Sequence, residues 1–332
     1  MMKTFDVVAM GELLIDFTEN GTSIQGNPLL EANPGGAPCN VLAMLNRLGK
    51  KTAFIGKVGR DSFGQQLKEA VEQSGTDVTN LIMDEEIPTT LAFVHTLPGG
   101  DREFSFYRNP GADMMLKKEE VQEDIIKAAK IFHFGTLSST HEGVRAATRY
   151  AIKIAKENGL LISFDPNLRE QLWDSLEHAK AEIQYGLSKC DVLKISDNEL
   201  EFLTGTTDDT KGVEMLQEQY HIPLIFVTLG RDGSRAYYHD WVIEEKPFLQ
   251  EGTIETTGAG DTFMGCALGY LLEHDFTNLT KENLKELLVF ANAGASIITT
   301  RKGALKVMLE RAEIEALAGS RQNCSITGYQ GR

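Results

Sequence analysis

The string Glu255-Thr256-Thr257-Gly258-Ala259-Gly260-Asp261-Thr262-Phe263 carries the most chemistry in the chain. Its small residues let backbone N–H groups come close to a ligand. They open a stretch in which Phe263, Met264, Ala267, Leu268 and Leu271 mark a helix. A helix N-terminus offers unpaired donors and partial positive charge, which suits an anion. Asp261, in the first turn, has two readings: a helix cap, or a general base held beside that anion site. The sequence contains no G-x-x-x-x-G-K-[ST] loop, and no G-x-G-x-x-G follows the first strand-like run. Phosphoryl chemistry here therefore needs a different architecture.

Other residues fit a small polar ligand. Pro34-Gly35-Gly36-Ala37-Pro38-Cys39-Asn40 leads into a second helical pattern, and the Asn40 amide both donates and accepts. Asp16 lies just past the apolar run Leu13-Leu14-Ile15, where a carboxylate can take two sugar hydroxyls or serve as a turn residue. Three more groups fall just beyond expected strand ends: Asp165-Pro166-Asn167-Leu168-Arg169, Ser196-Asp197-Asn198-Glu199 and Thr228-Leu229-Gly230-Arg231-Asp232-Gly233. Each alone reads as an ordinary strand–helix turn. Together with the Gly258–Asp261 turn they favour one cleft, because ligands of open α/β sheets bind at that edge.

The elements that must position these groups alternate between two periods. Strands are expected at Thr4–Ala9, Thr52–Val58, Ile131–Phe134, Leu160–Phe164, Asp191–Ile195 and Pro223–Thr228. Helices are expected at Asn40–Leu48, after the cap Asp61, at His141–Asn158, at Ser175–Leu187 and over most of Gly260–Leu317. This rhythm predicts an α/β fold with a doubly wound, mainly parallel sheet. Two segments interrupt it, about 13–31 and 89–110. The second reads as a hairpin turning at Pro98-Gly99-Gly100-Asp101, with Phe104, Phe106 and Arg108 on one face and Glu103, Ser105 and Tyr107 on the other. These segments form either a small separate sheet, the preferred reading, or antiparallel edge strands of the main one. Residues 1–318 make one domain, and 319–332 read as a polar, frayed tail.

Composition narrows the function classes. The 332 residues are 42% hydrophobic and 24% charged, as in globular proteins. Lys and Arg number 33 against 48 Asp and Glu, a net charge of −15 that argues against nucleic-acid binding. A bound polyanion must then be held by a local device. No apolar run is long enough for a membrane span. Cys39, Cys190, Cys266 and Cys324 form no C-x-x-C pair, so buried reduced thiols and a cytoplasmic location are expected, with neither disulfides nor a zinc site.

The motifs resemble the ribokinase/PfkB family of carbohydrate kinases. Gly35-Gly36…Asn40 is similar to its N-terminal signature, and Thr256–Phe263 to its C-terminal one. Asn292 with Thr300-Arg301-Lys302-Gly303-Ala304 resembles the end of the family's domain, and the likeness runs from about Val7 to Leu317. Asp165–Arg169 with Leu172-Trp173, and Phe106–Asp113, look most like fructokinases. The resemblance implies a ribokinase-like fold with a small β-sheet lid that also forms a homodimer. It implies ATP with Mg2+, and Asp261 as base beside an anion hole of Gly258, Ala259 and Gly260. It places Asp16, Gly35, Gly36 and Asn40 at the sugar, with Arg108 and Arg169 added from the lid and the cleft. Ser196, Glu199, Thr228, Gly230, Gly233 and Asn292 fall at the nucleotide, and Glu199 near Mg2+ through water. Ser196 replaces the family's Asn, and Glu255, where many members have Asp, stands with Thr257 at a monovalent-cation site for K+. The implied reaction is phosphorylation of D-fructose to fructose 6-phosphate. A 2-keto-3-deoxygluconate or nucleoside-type kinase remains open, as does a catalytically silent sugar-binding protein, which the intact Asp261 opposes.

Overall fold

The structure, a computed structural model, describes residues 3–96 and 102–327; the expected turn at Pro98–Asp101 lies outside them. The strands in chain order are β1 (Phe5–Met10), β2 (Leu14–Thr22), β3 (Pro28–Gly35), β4 (Thr52–Gly59), β5 (Asp77–Asp84), β6 (Leu91–Thr96), β7 (Arg102–Tyr107), β8 (Ala129–Phe134), β9 (Leu161–Phe164), β10 (Val192–Ser196), β11 (Leu224–Thr228), β12 (Ser234–Tyr238) and β13 (Trp241–Glu245).

Nine strands form the main sheet in the order β13-β12-β11-β10-β9-β8-β1-β4-β5. From β11 to β5 every pairing is parallel, and only the β11–β12 and β12–β13 pairings are antiparallel. The parallel strands carry apolar side chains on both faces because helices cover both. On one face Phe54 and Phe226 meet Met44 and Leu45 of the helix Ala37–Arg47 and Phe263 of the helix Ala259–Leu271, with Phe226 and Phe263 edge to face at 5.7 Å. On the other, Phe134 and Phe164 stack at 4.6 Å under the helices Glu142–Glu157 and Leu176–Leu187. Local chemistry sets the helix ends. Asp61 caps the helix Ser62–Gln73 by accepting from the Gly64 N–H at 2.8 Å, and His141 caps Glu142–Glu157.

The interrupting segments make a second, separate sheet of four strands, β3-β2-β6-β7. Edge strands of the main sheet are thereby excluded for them. β2 and β6 pair in parallel, with Asp16 beside Ala92, and β6 and β7 are antiparallel, with Ala92 beside Phe106. Asp16, Ala92 and Phe106 thus share one face. The hairpin β12–β13, strand β5 and the helices Asp197–Thr204 and Asp209–Tyr220 were not expected from the sequence. The helix Arg311–Thr327 also continues into the segment expected as a frayed tail.

Candidate active site

In this strand order the sheet's winding reverses at β1, and the ends of β1, β8, β9, β10 and β11 open on one side. The helix Ala259–Leu271 points its first turn there. Its cap position is Gly258, left-handed at φ 76°, and no side chain caps it. Asp261 is therefore not the cap. Its Oδ2 instead accepts from Asn40 Nδ2 at 2.8 Å, a bond that joins the two motifs across the chain. Burial pushes the Asp261 carboxyl above the usual range, opposed by the Asn40 hydrogen bond and the charges of Lys194 and Arg169. Asn40 Oδ1 is buried without a protein donor, so the same amide presents an acceptor to a ligand hydroxyl. Of the turn's N–H groups, that of Ala259 donates to the Thr256 carbonyl at 3.2 Å. A Cβ built on Gly258 would lie 2.7 Å from the Ala304 Cβ, which accounts for glycine at that position.

Lys194 belongs to this site and was missed in the sequence. It sits on β10, buried, with Nζ 3.1 and 3.2 Å from the two Asp165 oxygens. A Cβ on Gly260 would lie 2.9 Å from that Nζ, so the ammonium rests against the Gly258–Gly260 turn. Burial raises Asp165 to about 6, with Lys194 pulling down and Glu199 and Asp261 adding like charge. Burial opposes the Lys194 charge, but Asp165, Glu199 and Asp261 outweigh it and raise its pKa. At neutral pH both partners are ionised. The signal that could have found Lys194 is a charge inside the apolar run Val192-Leu193-Lys194-Ile195.

Glu199 and Ser196 interlock. Ser196 caps the helix Asp197–Thr204, Glu199 Oε2 accepts from the Ser196 N–H and hydroxyl at 2.9 Å, and Oε1 accepts from the Leu168 N–H at 2.7 Å. Serine in place of asparagine is thus the helix cap, and Glu199 ties β10 to the Asp165–Arg169 turn.

On the other side of the cleft, a Cβ on Gly35 would lie 2.1 Å from Asp16 Oδ2, so the Asp16 carboxylate lies over the glycine pair. Arg169 spans the cleft: its guanidinium lies 5.7 Å from the Phe104 ring of the small sheet, and its charge reaches Asp261. Arg108 is placed differently. It is buried, donates to Asp113 Oδ2 at 2.6 and 2.8 Å, and bonds Thr140 Oγ1 and the Leu137 carbonyl. It anchors the end of β7 to the main body.

The residues that the family resemblance puts at a nucleotide lie around the ends of β10 and β11 and the β12–β13 hairpin. Gly230 and Gly233 have φ 55° and 102°, and a Cβ on Gly233 would lie 2.2 Å from the Glu245 carbonyl oxygen. Thr228 Oγ1 points to the Ile195 carbonyl at 3.5 Å. Asn292 is held by the Ser234 hydroxyl at 2.9 Å and donates to the Glu245 carbonyl at 3.2 Å, so its amide braces the β12–β13 hairpin. Glu255 accepts the Gly303 N–H at 2.7 Å, and Thr257 follows it in the loop ahead of the turn. Among the described residues, no three His, Cys, Asp or Glu side chains converge as a metal cage, and no helix is long and apolar enough to cross a membrane. Cys39, Cys190 and Cys266 are buried and free.

With this geometry in place, comparison with known proteins is direct. The pattern of the pfkB family carbohydrate kinases matches residues 4–311. The chain belongs to that family. This pfkB carbohydrate kinase is 41% identical to fructokinase-1 of Zea mays over 310 residues, 93% of this chain and 96% of the relative. Among solved structures it resembles fructokinase from Xylella fastidiosa with bound ATP, at TM-score 0.87 and 29% identity, covering 96% of this chain and 99% of that one. It also resembles fructokinase from Vibrio cholerae O395 in its fructose, ADP and calcium ion bound form, at TM-score 0.85 and 30% identity, covering 95% and 99%. The ribokinase-like architecture is thus common to the set.

Proposed function

We propose that this chain is an ATP-dependent fructokinase, transferring the γ-phosphoryl group of ATP to the 6-hydroxyl of D-fructose to give ADP and fructose 6-phosphate. The observation that carries the reading is the buried Asp261 carboxylate, fixed by Asn40 at the start of an uncapped helix. Such a carboxylate, its pKa raised by burial, takes the hydroxyl proton as oxygen attacks phosphorus. Phosphoryl transfer asks the protein mainly for positioning and charge stabilisation. The Gly258–Gly260 turn supplies N–H donors for the developing charge, and Lys194 places a cation against the same turn. Asp16, Gly35, Gly36 and Asn40 hold the sugar, and Arg169 closes that side. Thr228, Gly230, Gly233, Ser196 and Asn292 shape the nucleotide edge, the last two by bracing it.

Glu199 has both oxygens engaged by protein donors, so its fit to Mg2+ is through water, as this ion commonly prefers. Mg2+ would supply neutralising charge on the nucleotide phosphates. Glu255 and Thr257 offer oxygens ahead of the turn that suit K+. A neutral sugar is favoured over an acidic one because Arg108, one of two guanidiniums that would answer a sugar carboxylate, is engaged by Asp113. The reading includes a cytoplasmic homodimer through the small sheet. Leu29, Leu30 and Tyr107 are exposed there, and β3 and β7 are edge strands. Light scattering at micromolar concentration tests the dimer, and a monomer mass refutes it. A coupled ADP-release assay across fructose, ribose, 2-keto-3-deoxygluconate and fructose 6-phosphate tests the substrate. Fructose should give the highest kcat/KM, and a higher value for 2-keto-3-deoxygluconate would refute the choice.

A further inference from the structure

Glu12 lies where the chain leaves β1 for β2, and so for the small sheet. It is a buried carboxylate with no part in the chemistry described above. Its Oε1 accepts from the Ala37 N–H at 2.8 Å. That N–H is the first of the helix Ala37–Arg47, whose cap position is Gly36 and which has no side-chain cap of its own. Pro38 follows and has no N–H to offer. The acceptor a helix usually draws from its own Ser, Thr, Asp or Asn is delivered here from another element.

The contact around that bond is close. Gly36 has φ 132°, and a Cβ on it would lie 2.4 Å from the Glu12 carbonyl oxygen. A Cβ on Gly11 would lie 2.5 Å from Pro38 Cγ. The Gly11-Glu12 turn and the Gly35–Pro38 turn therefore interlock, with glycine on each side making room. One helical turn beyond Ala37, Asn40 reaches Asp261 at 2.8 Å. The path from Glu12 to Asp261 is two hydrogen bonds and one rigid helical turn.

We propose that Glu12 is a positioning residue for the sugar site: by capping the helix Ala37–Arg47 from the junction of the two sheets, it sets Gly35, Gly36 and Asn40 against Asp261. The proposal rests on the reading that Gly35, Gly36 and Asn40 hold the sugar. Burial pushes the Glu12 carboxyl up to about 7, with Asp113 raising it further and Arg108 lowering it. Those two and the Cys39 thiol are the titratable or charged groups facing it, from the segment after β7 and from the helix itself. A raised carboxyl is ionised above its pKa and protonated below it. The stronger, charge-assisted bond to Ala37 is thus present above about pH 7 and weakens as pH falls through it.

The test is steady-state kinetics of the full-length protein from mildly acid to mildly alkaline pH, with fructose and MgATP varied separately, for wild type, Glu12→Gln, Glu12→Ala and Asn40→Ala. Exchanging a charge-assisted bond for a neutral one corresponds to roughly a three- to fivefold change in fructose KM for the wild type across pH 7. Glu12→Gln keeps an acceptor oxygen but no charge. Its fructose KM should stay flat with pH, at the wild-type acid-side value. Glu12→Ala should raise fructose KM by roughly tenfold and leave the ATP KM within about twofold. A Glu12→Ala protein with both KM values unchanged, or with both raised equally, overturns the proposal. If Glu12→Ala fails to fold, Glu12→Gln decides: an acid-side rise in KM that survives in it overturns the proposal, and its loss supports it. Asn40→Ala separates the two levels. Unchanged fructose KM in Asn40→Ala refutes the sugar-site reading itself, whereas a raised KM there with unchanged Glu12→Ala refutes only the role of Glu12.

Discussion

Lys194→Met removes the cation from the pair beneath the anion turn while keeping the length and most of the volume of the side chain. Asp165 is then left buried with Glu199 and Asp261 as its charged neighbours. Removing one partner of a buried pair costs about 3–5 kcal/mol, because the remaining charge is uncompensated. Adding Asp165→Asn should recover most of that loss, so the double variant is the more stable of the two. The sign with pH is fixed. Asp165 has a folded pKa raised from 3.8 to about 6, so the stability its protonated form contributes is present at low pH and lost as pH rises through about 6. Deleting Lys194 moves that loss upward. The deficit of Lys194→Met should therefore be large at pH 8 and small near pH 4. Lys194 also lowers Asp261, so the acid limb of kcat should move to higher pH. Urea unfolding at several pH values and a pH–rate profile measure both effects. Equal stability of single and double variants, with an unmoved acid limb, would refute the reasoning that the pair is desolvated and coupled to Asp261.

Other outcomes follow from single residues. His133 is buried, bonds Ser163 Oγ at 2.8 Å, and is pushed from 6.5 down to about 3 by burial and by Lys194. Such a depressed histidine contributes stability at neutral pH that is lost as pH falls, so His133→Gln should flatten the acid-side decline measured by urea unfolding. Gly258→Ala places a methyl in a left-handed position against Ala304 and should lower both Tm and kcat. Gly49→Ala, at φ 75° with nothing within 4 Å, should cost only about 1–2 kcal/mol and leave kcat intact. Equal kcat loss in both would show that the Gly258 turn has no special role.

Most of the parallel sheet was legible because its strands are short apolar runs ended by a turn residue, as in Leu160–Phe164 before Asp165, whereas the polar β5, with Thr79 and Asn80 inside it, was not. The glycine turn before Asp261 was legible because its meaning is local. Residues whose partners come from distant strands were not. Lys194 meets Asp165 only through the β9–β10 pairing, and Glu12 meets Ala37 only when β1 lies beside the helix. In both cases a charge sits within a buried segment, a signal that says a partner exists but not which one. The family resemblance puts Arg108 at the sugar, while in the structure Asp113, Thr140 and Leu137 hold it, and two of those three come from a segment far along the chain. The Asp261 cap reading was open in the sequence and closed by Gly258, whose positive φ places the helix start three residues earlier.

Asp261→Asn tests the central claim most directly. The substitution keeps an oxygen for the Asn40 amide and leaves the helix start untouched, so the fold and the fructose and ATP affinities should hold. It removes the carboxylate proposed to take the hydroxyl proton. General-base catalysis is worth on the order of 10²–10⁴-fold, so ADP release with saturating fructose and MgATP should fall at least about a hundredfold. A folded Asp261→Asn protein that turns over fructose at near the wild-type rate would contradict the base assignment and the kinase mechanism built on it.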